Sequence, residues 1–94
     1  MYYIGIDISK FKHDCAVIDD SGEIVTPSWS FTNDAKGFSQ LKLLLNSLDT
    51  ETRIGLESTG HYGMNLKLFL ESNNFSFMEF NPVSYTHLRA HETL

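Results

Sequence analysis

The 94-residue sequence has only one cysteine, Cys15, and two prolines. A single cysteine excludes an intrachain disulfide, so this is not the pattern of a disulfide-stabilised secreted scaffold. Long apolar runs are also missing. Asp7 interrupts the early apolar stretch, which argues against a signal peptide, and no segment approaches membrane-spanning length. These absences predict a soluble, cytoplasmic domain with no membrane partner.

Basic residues are scarce as well. Seven lysines and arginines oppose twelve aspartates and glutamates, for a formal charge of -5. This balance disfavours a domain that binds nucleic acid on its own, because phosphate contacts need a basic surface. The hydrophobic fraction of 41% is nevertheless enough for a core and argues against disorder. At this length we expect a single domain at most.

The first third of the sequence predicts three strands joined by tight turns, an antiparallel meander. The strands are expected at residues 2–9, 13–19 and 23–32, with a hairpin turn at residues 19–22. Gly22 suits the positive φ that such a turn requires. Pro27 suggests that the third strand lies at an edge or contains a bulge.

The hydrophobic period then changes to that of a helix. Asn33 and Asp34 are good N-cap residues, and apolar residues follow at helical spacing up to Leu48. A buried strand is expected at residues 53–58, then a helix opened by Thr59-Gly60, and a fifth strand at residues 75–80. The order β-β-β-α-β-α-β predicts an α/β domain with a mixed sheet, in which the strand–helix–strand crossover returns parallel.

The end of the sequence has a different character. Residues 83–94 show no clean strand or helix period, and residues 83–93 resemble one reading frame of a sequencing-library adapter of the transposon-end type. We therefore expect residues 1–82 to be the native domain portion and residues 83–94 to be a non-native or disordered tail. The alternative is a native, irregular C-terminal peptide.

Asp7 and Glu57 are the candidate functional residues. Asp7 stands between Ile6 and Ile8 in an apolar strand, where a carboxylate loses solvation and gains little packing. Glu57 closes the short strand Ile54-Gly55-Leu56, and ligands of open α/β sheets bind at the carboxyl ends of strands. If the fourth strand lies beside the first, the two carboxylates converge. The alternatives are that Asp7 faces water on an edge strand and that Glu57 serves only as an acid at a helix N-terminus.

Two carboxylates that share a small site favour a hard divalent cation, because only a cation lets both remain ionised together. Oxygen-only ligands favour Mg²⁺ or Mn²⁺, and no Cys/His cluster of zinc spacing exists in the sequence. Two such ions would serve phosphodiester chemistry, although further ligands would have to come from elsewhere. We expect His13 and His61 to be surface or capping residues, and Asp14 to face solvent near a turn.

Three motifs in this order resemble the DEDD-type insertion-sequence transposases, which include bridge-RNA-guided recombinases and pilin-gene invertases. The motifs are Tyr3-Ile4-Gly5-Ile6-Asp7-Ile8-Ser9-Lys10, then Phe31-Thr32-Asn33 with Gly37-Phe38, then Gly55-Leu56-Glu57-Ser58-Thr59-Gly60-His61-Tyr62. The resemblance covers residues 1 to about 82, where Asn81-Pro82 also fits. It implies an RNase H-like fold of the RuvC type, with Asp7 and Glu57 as the first and second metal-binding, catalytic carboxylates.

The resemblance also implies Mg²⁺-dependent DNA strand cleavage and exchange, by a homo-oligomer that binds DNA and a structured guide RNA. In the family, two further aspartates lie in a downstream Lys-Thr-Asp-x-x-Asp-Ala pattern, and a separate C-terminal domain supplies a serine nucleophile. The sequence contains neither. We therefore expect it to be an inactive N-terminal fragment of a transposase.

Two other functional classes stay open. One is the ATP-binding domain of the sugar kinase, Hsp70 and actin group, which shares this sheet topology and begins with a similar strand. Such domains need a first turn rich in Gly, Ser and Thr to approach phosphates, whereas residues 8–12 have no glycine and contain the bulky Phe11. The other is a non-catalytic RNase H-like binding module.

Overall fold

A computed structural model describes residues 1–48, 50–57 and 62–80. Over these residues the chain forms five strands and two helices in the predicted order β-β-β-α-β-α-β. The elements are β1 (Tyr2–Asp7), β2 (Lys12–Asp19), β3 (Ile24–Thr32), α1 (Ala35–Ser47), β4 (Thr52–Glu57), α2 (Met64–Ser72) and β5 (Phe77–Phe80). The segment 83–94, which was set apart in the sequence, lies outside the described residues.

The strands form one mixed sheet in the order β3-β2-β1-β4-β5. β1 pairs antiparallel with β2, β2 pairs antiparallel with β3, and the β1–β4 and β4–β5 pairs are parallel. The predicted meander and parallel crossover are therefore confirmed. β3 is an edge strand, and the β2–β3 register shifts near Cys15 and Val17, so Pro27 lies where the sequence predicted an edge or a bulge.

The hairpin turn between β2 and β3 is built around Asp19. Its carboxylate accepts hydrogen bonds from the backbone N–H groups of Ser21 and Glu23 and from the Ser21 hydroxyl, at 2.7–3.0 Å. These bonds hold the pKa of Asp19 below its usual value. Gly22 has a φ of 85°, which confirms the predicted need for glycine.

Helix α1 begins after Asp34, the predicted N-cap. The Asp34 carboxylate accepts a hydrogen bond from the Gly37 N–H at 2.9 Å, and it also accepts one from the Thr32 hydroxyl. Gly37 allows the first turn of the helix to lie against the end of β3. A Cβ at this position would come 1.9 Å from the backbone oxygen of Thr32.

The hydrophobic core lies on one face of the sheet. Both helices contribute buried residues to the same cluster as the strands, so they cover the same face. The cluster comprises Ile4, Ile6, Ile8, Cys15, Val17, Phe31, Phe38, Leu41, Leu45, Ile54, Leu56, Leu66 and Leu70. Along β1 the buried isoleucines alternate with exposed Tyr3, Gly5 and Asp7. The second face is therefore open over the described part of the chain.

The open face corrects one premise of the sequence analysis. β1 is the central strand, as predicted, but Asp7 is exposed rather than desolvated. A strand with one covered face alternates between apolar and polar residues. Asp7 points away from the helices, and a central position in the sheet does not bury it.

Several element boundaries also differ from the predictions, and β1 ends at Asp7 rather than at residue 9. Helix α2 begins at Met64, and Tyr62, which was expected on the helix, lies in a turn before it; the expected start at Thr59-Gly60 lies outside the described residues. β5 begins at Phe77 because Asn74, with a φ of 62°, and Phe75 still belong to the turn that ends α2. In the described part of the chain, no helix is long and apolar enough to cross a membrane.

Candidate metal centre

Asp7 and Glu57 are direct neighbours across the centre of the sheet. The parallel β1–β4 ladder pairs Asp7 with Glu57 in register, and the Ile8 N–H donates to the Glu57 carbonyl oxygen at 3.0 Å. Neighbouring strands lie about 4.8 Å apart, and paired residues project from the same face. Both side chains are exposed on the open face, at the carboxyl ends of their strands. The structure therefore brings the two carboxylates together, as expected.

Asp14 brings a third carboxylate to this row, which sequence reasoning missed. The antiparallel β1–β2 ladder pairs Asp14 with Asp7, and the Ser30 hydroxyl donates to the Asp14 carboxylate at 2.5 Å. Asp14 lies within β2 rather than near a turn. Its position could have been found from the period of two along β2, where it alternates with buried His13 and Cys15.

The carboxylates border an open depression of about 420 Å³. Its lining residues are Gly5, Ile6, Asp7, Asp14, Cys15, Ala16, Ser28 and Glu57. Carboxylate and hydroxyl oxygens are hard donors, of the kind that Mg²⁺ and Mn²⁺ prefer. Within residues 1–48, 50–57 and 62–80, no group of three or more His, Cys, Asp or Glu is arranged to hold a metal ion. The candidate ligands are thus the pair Asp7 and Glu57.

His13 is a buried residue, so the expectation that it lies at the surface is wrong. It belongs to β2 and is 0% exposed, and its Nδ1 accepts a hydrogen bond from the Ser9 N–H at 3.2 Å. It therefore helps to hold the turn after β1, which is the capping role that the sequence also allowed. Burial lowers the pKa of His13, while Asn33, Asp14 and Asp7 act in the opposite direction. His61, the other histidine considered, lies outside the described residues.

Asn33 links His13 to two chain segments near the carboxylates. Its amide nitrogen Nδ2 donates to the carbonyl oxygens of Lys10, at 3.1 Å, and Tyr62, at 3.2 Å. Its Oδ1 and the Nε2 of His13 are buried, and neither has a hydrogen-bond partner among the described residues. Because Nδ1 of the neutral imidazole is an acceptor here, Nε2 carries the proton and Oδ1 is its natural acceptor. Asn33 therefore connects the turn between Asp7 and Asp14 to Tyr62, which precedes α2.

The turn from Ser9 to Lys12, at the end of β1, presents a basic and aromatic surface. Phe11 is 76% exposed, and the Nζ of Lys10 lies 5.1 Å from the centroid of its ring. Lys10 and Lys12 are both exposed. The Asn33 N–H donates to the Phe11 carbonyl oxygen at 2.9 Å, and the Ser9 hydroxyl donates to the Lys12 carbonyl oxygen.

Solved structures share this fold at low sequence identity. The Lmo2764 protein from Listeria monocytogenes, described as a candidate N-acetylmannosamine kinase, superposes with a TM-score of 0.56 and 19% identity. The Ppx/GppA phosphatase from Aquifex aeolicus gives 0.50 and 9%. The matches cover 86% and 87% of this chain but only 35% and 36% of those proteins, so the chain spans about a third of their length. At such identities the likeness is one of fold and not of function.

Sequence comparison identifies the family. No curated protein is significantly similar to the chain. The family model for transposases of the DEDD type, named for the insertion sequence IS110, matches residues 4–93. The match includes both Asp7 and Glu57 and extends into the segment after residue 82, whose assignment as a non-native tail stays a prediction. The chain belongs to the IS110-type DEDD transposase family.

Proposed function

We propose that this chain contributes part of a RuvC-like catalytic domain to a DNA transposase, with Asp7 and Glu57 as two of its metal-binding carboxylates. The single observation that carries the proposal is the in-register pairing of Asp7 with Glu57 at the carboxyl ends of two central parallel strands. Membership of the transposase family supports this proposal, and the reaction that we propose is metal-dependent cleavage and exchange of DNA strands.

The chemistry of the site fits a hard divalent cation such as Mg²⁺ or Mn²⁺. Two adjacent exposed carboxylates offer oxygen ligands on one side and leave room for water and phosphate oxygens on the other. Asp7 and Glu57 would hold the cation, which would help to activate the attacking oxygen and to stabilise the leaving oxygen. The backbone holds Asp7 and Glu57 side by side, and the Ile8 N–H to Glu57 carbonyl bond continues the ladder past them.

The proposal extends to the partners of the complete protein. We propose that these are DNA and a structured guide RNA, bound by a homo-oligomer. The acidic charge of -5 supports the view that most of the nucleic-acid surface is supplied by other parts of the protein or by other subunits. We further propose that the 94-residue chain alone is inactive, because two carboxylates seldom complete a site for phosphodiester chemistry.

The alternative function, an ATP-binding domain, is suggested by the fold that the chain shares with the Lmo2764 protein. For this function, the turn after β1 would have to bring backbone N–H groups to the phosphates of ATP. Here the N–H of Ser9, which lies in that turn, already donates to His13 Nδ1. The exposed side chain of Phe11 adds bulk at the same turn. These features favour the transposase proposal over nucleotide binding.

A metal titration followed by NMR tests the proposal. Mn²⁺ added to the ¹⁵N-labelled chain should broaden the amide signals of Asp7, Ile8 and Glu57 first, and excess Mg²⁺ should reverse the broadening. D7N and E57Q should each weaken binding by at least the roughly 10- to 100-fold that loss of an outer-shell partner costs. E71Q removes an exposed carboxylate from α2 and serves as the control that keeps the charge change equal.

Three outcomes discriminate between the candidate functions. Site-selective broadening that D7N and E57Q abolish, and E71Q leaves intact, supports the transposase proposal. Uniform broadening over all acidic residues would contradict a shared site and favour the non-catalytic binding module. Chemical-shift changes at residues 8–12 that require ATP together with Mg²⁺ would instead favour the nucleotide-binding alternative.

A further inference from the structure

The turn after β1 carries an aromatic side chain that the fold does not use. Phe11 has the largest exposed fraction, 76%, of the exposed large hydrophobic residues in the described part of the chain. Most phenylalanines are buried because their rings contribute strongly to cores. Phe11 instead lies between Lys10 and Lys12, and all three side chains are exposed. Neither the core nor the sheet accounts for this arrangement.

The backbone of the turn is held at both ends. Ser9 donates through its N–H to His13 Nδ1 and through its hydroxyl to the Lys12 carbonyl oxygen. Asn33 donates through Nδ2 to the Lys10 carbonyl oxygen and through its N–H to that of Phe11. Four hydrogen bonds thus fix a four-residue turn, and the ring is presented from a preorganised backbone. Preorganisation lowers the entropic cost of binding a partner.

The turn lies next to the candidate metal centre. Phe11 follows Asp7 by four residues, so their Cα atoms are at most about 14 Å apart even if the intervening chain is fully extended. Lys12 begins β2, two residues before Asp14, which pairs with Asp7 across the ladder. A ligand on Phe11 would therefore be within a few nucleotides' length of a phosphodiester at Asp7 and Glu57.

We propose that residues 9–12 form a stacking platform for single-stranded DNA, with an unpaired base on the ring of Phe11 and phosphates on Lys10 and Lys12. The identity of the strand, as the DNA to be cleaved, rests on the proposed function. Aromatic rings accept any base by stacking, and lysines beside them hold the backbone. Lys10 already lies 5.1 Å from the ring centroid, so its charge is close to the stacking position.

Charge distribution supports this choice of ligand. The row Asp14, Asp7 and Glu57 repels phosphate, and the whole chain is acidic. Positive side chains beside the carboxylates offset part of this repulsion and help DNA to approach. Lys10 and Lys12 supply two such charges at the edge of the acidic row. The aromatic ring between them favours an unstacked base, because the bases of a duplex are already stacked on one another.

Fluorescence anisotropy with a short, labelled thymidine oligonucleotide tests the platform. The full 94-residue chain is titrated in EDTA at low salt, so that metal binding at Asp7 and Glu57 does not contribute. F11L keeps an apolar side chain but removes the π-face, and it should weaken binding by about 5- to 100-fold, the range typical for loss of one stacked base. F11W should bind at least as tightly as the original protein. Because Phe11 is exposed, neither variant should shift the thermal melt.

The salt dependence tests the two lysines separately. K10Q and K12Q should each reduce the slope of log K against log salt by about 0.7, which is the value for one phosphate contact with a single strand. K42Q, which removes an exposed lysine from α1, is the matched control and should leave the slope unchanged. If all three substitutions change the slope equally, the effect reflects the net charge of the chain. That result would overturn the assignment of Lys10 and Lys12 as phosphate contacts.

The remaining outcomes are also decisive. The platform is refuted if F11L binds the oligonucleotide as well as the original chain, or if the duplex form binds as tightly as the single strand. If the uridine RNA of equal length binds more than about tenfold tighter, the DNA assignment is overturned in favour of RNA. If F11L does not weaken oligonucleotide binding while Mn²⁺ still binds at Asp7 and Glu57, the result contradicts the platform alone. If F11L weakens oligonucleotide binding but Mn²⁺ does not bind at Asp7 and Glu57, the result contradicts the metal centre alone.

Discussion

The buried histidine makes the stability of this fold sensitive to acid in a predictable direction. His13 is fully buried, and its Nδ1 accepts the Ser9 N–H, which requires an unprotonated ring. Burial is the largest influence on its pKa and lowers it from 6.5, against smaller opposing effects of Asn33, Asp14 and Asp7. Between the lowered pKa and about 6.5, the unfolded chain therefore binds more protons at this residue than the folded chain does.

The sign and the slope follow from this difference in proton binding. Above about pH 6.5 the imidazole is neutral in both states, and its contribution to stability is complete. As the pH falls below 6.5, the free energy of unfolding should decrease, with a slope of at most about 1.4 kcal/mol per pH unit. Below the folded-state pKa, protonation breaks the Ser9 bond and the contribution of His13 becomes constant.

Urea denaturation at a series of pH values measures this effect. The original chain is compared with H13Q at fixed ionic strength, because glutamine is polar but does not titrate. The carboxylates and the remaining histidines are common to both proteins, so the difference between the two curves isolates His13. We expect that difference to be independent of pH above about 6.5 and to change on acidification, with the original chain losing stability relative to H13Q.

A separate NMR measurement checks the proton position. Long-range ¹H–¹⁵N spectra of the imidazole should show the Nε2–H tautomer at neutral pH, as the bond from Ser9 to Nδ1 requires. The reasoning is refuted if the two stability curves run parallel from pH 8 to 5. It is also refuted if the original chain gains stability relative to H13Q in acid, because that result would mean a raised pKa.

Two other predictions need only simple measurements. G37A should destabilise the fold by roughly 1–3 kcal/mol because its Cβ would press on the Thr32 backbone oxygen, whereas G5A, whose Cβ meets nothing within 4 Å, should be nearly neutral in the same urea assay. Equal costs at the two positions would show that the close approach of α1 to β3 is wrong. Cys15 is buried, and burial raises its pKa to about 12. It should therefore resist a thiol reagent at pH 8 until urea unfolds the chain, and equally fast labelling of the native protein would contradict its burial.

Much of the architecture was predictable because it depends on local signals. The strand-forming composition of the first three segments, the N-cap at Asp34 and the glycine in the hairpin each specify local backbone geometry, and the structure confirms all three. The choice of Asp7 and Glu57 also came from local context, because Asp7 interrupts an apolar strand and Glu57 closes one. Their in-register pairing followed once β4 was taken as the neighbour of β1.

The differences arise where tertiary contacts outweigh local pattern. The start of α2 was predicted too early, because Thr59-Gly60 resembles a helix start while the helix begins only at Met64. From the sequence, Phe11 was only a bulky residue that disfavours phosphate binding, and its exposure was not predicted. Its presentation depends on hydrogen bonds from Asn33, a residue more than twenty positions away.

The sequence by itself determined the family, the order of the elements and the two candidate ligands, because motifs and periodicity are properties of neighbouring residues. Tertiary structure alone decided which side chains face water. Both helices pack on one face of the sheet, and this placement buries His13 yet leaves Asp7 exposed, although both lie on central strands. The pairing of β1 with β2 likewise brought Asp14 beside Asp7. Burial and register depend on contacts between distant segments, so local pattern alone did not fix them: the period of two along β2 separates Asp14 from His13 but does not tell which face is covered.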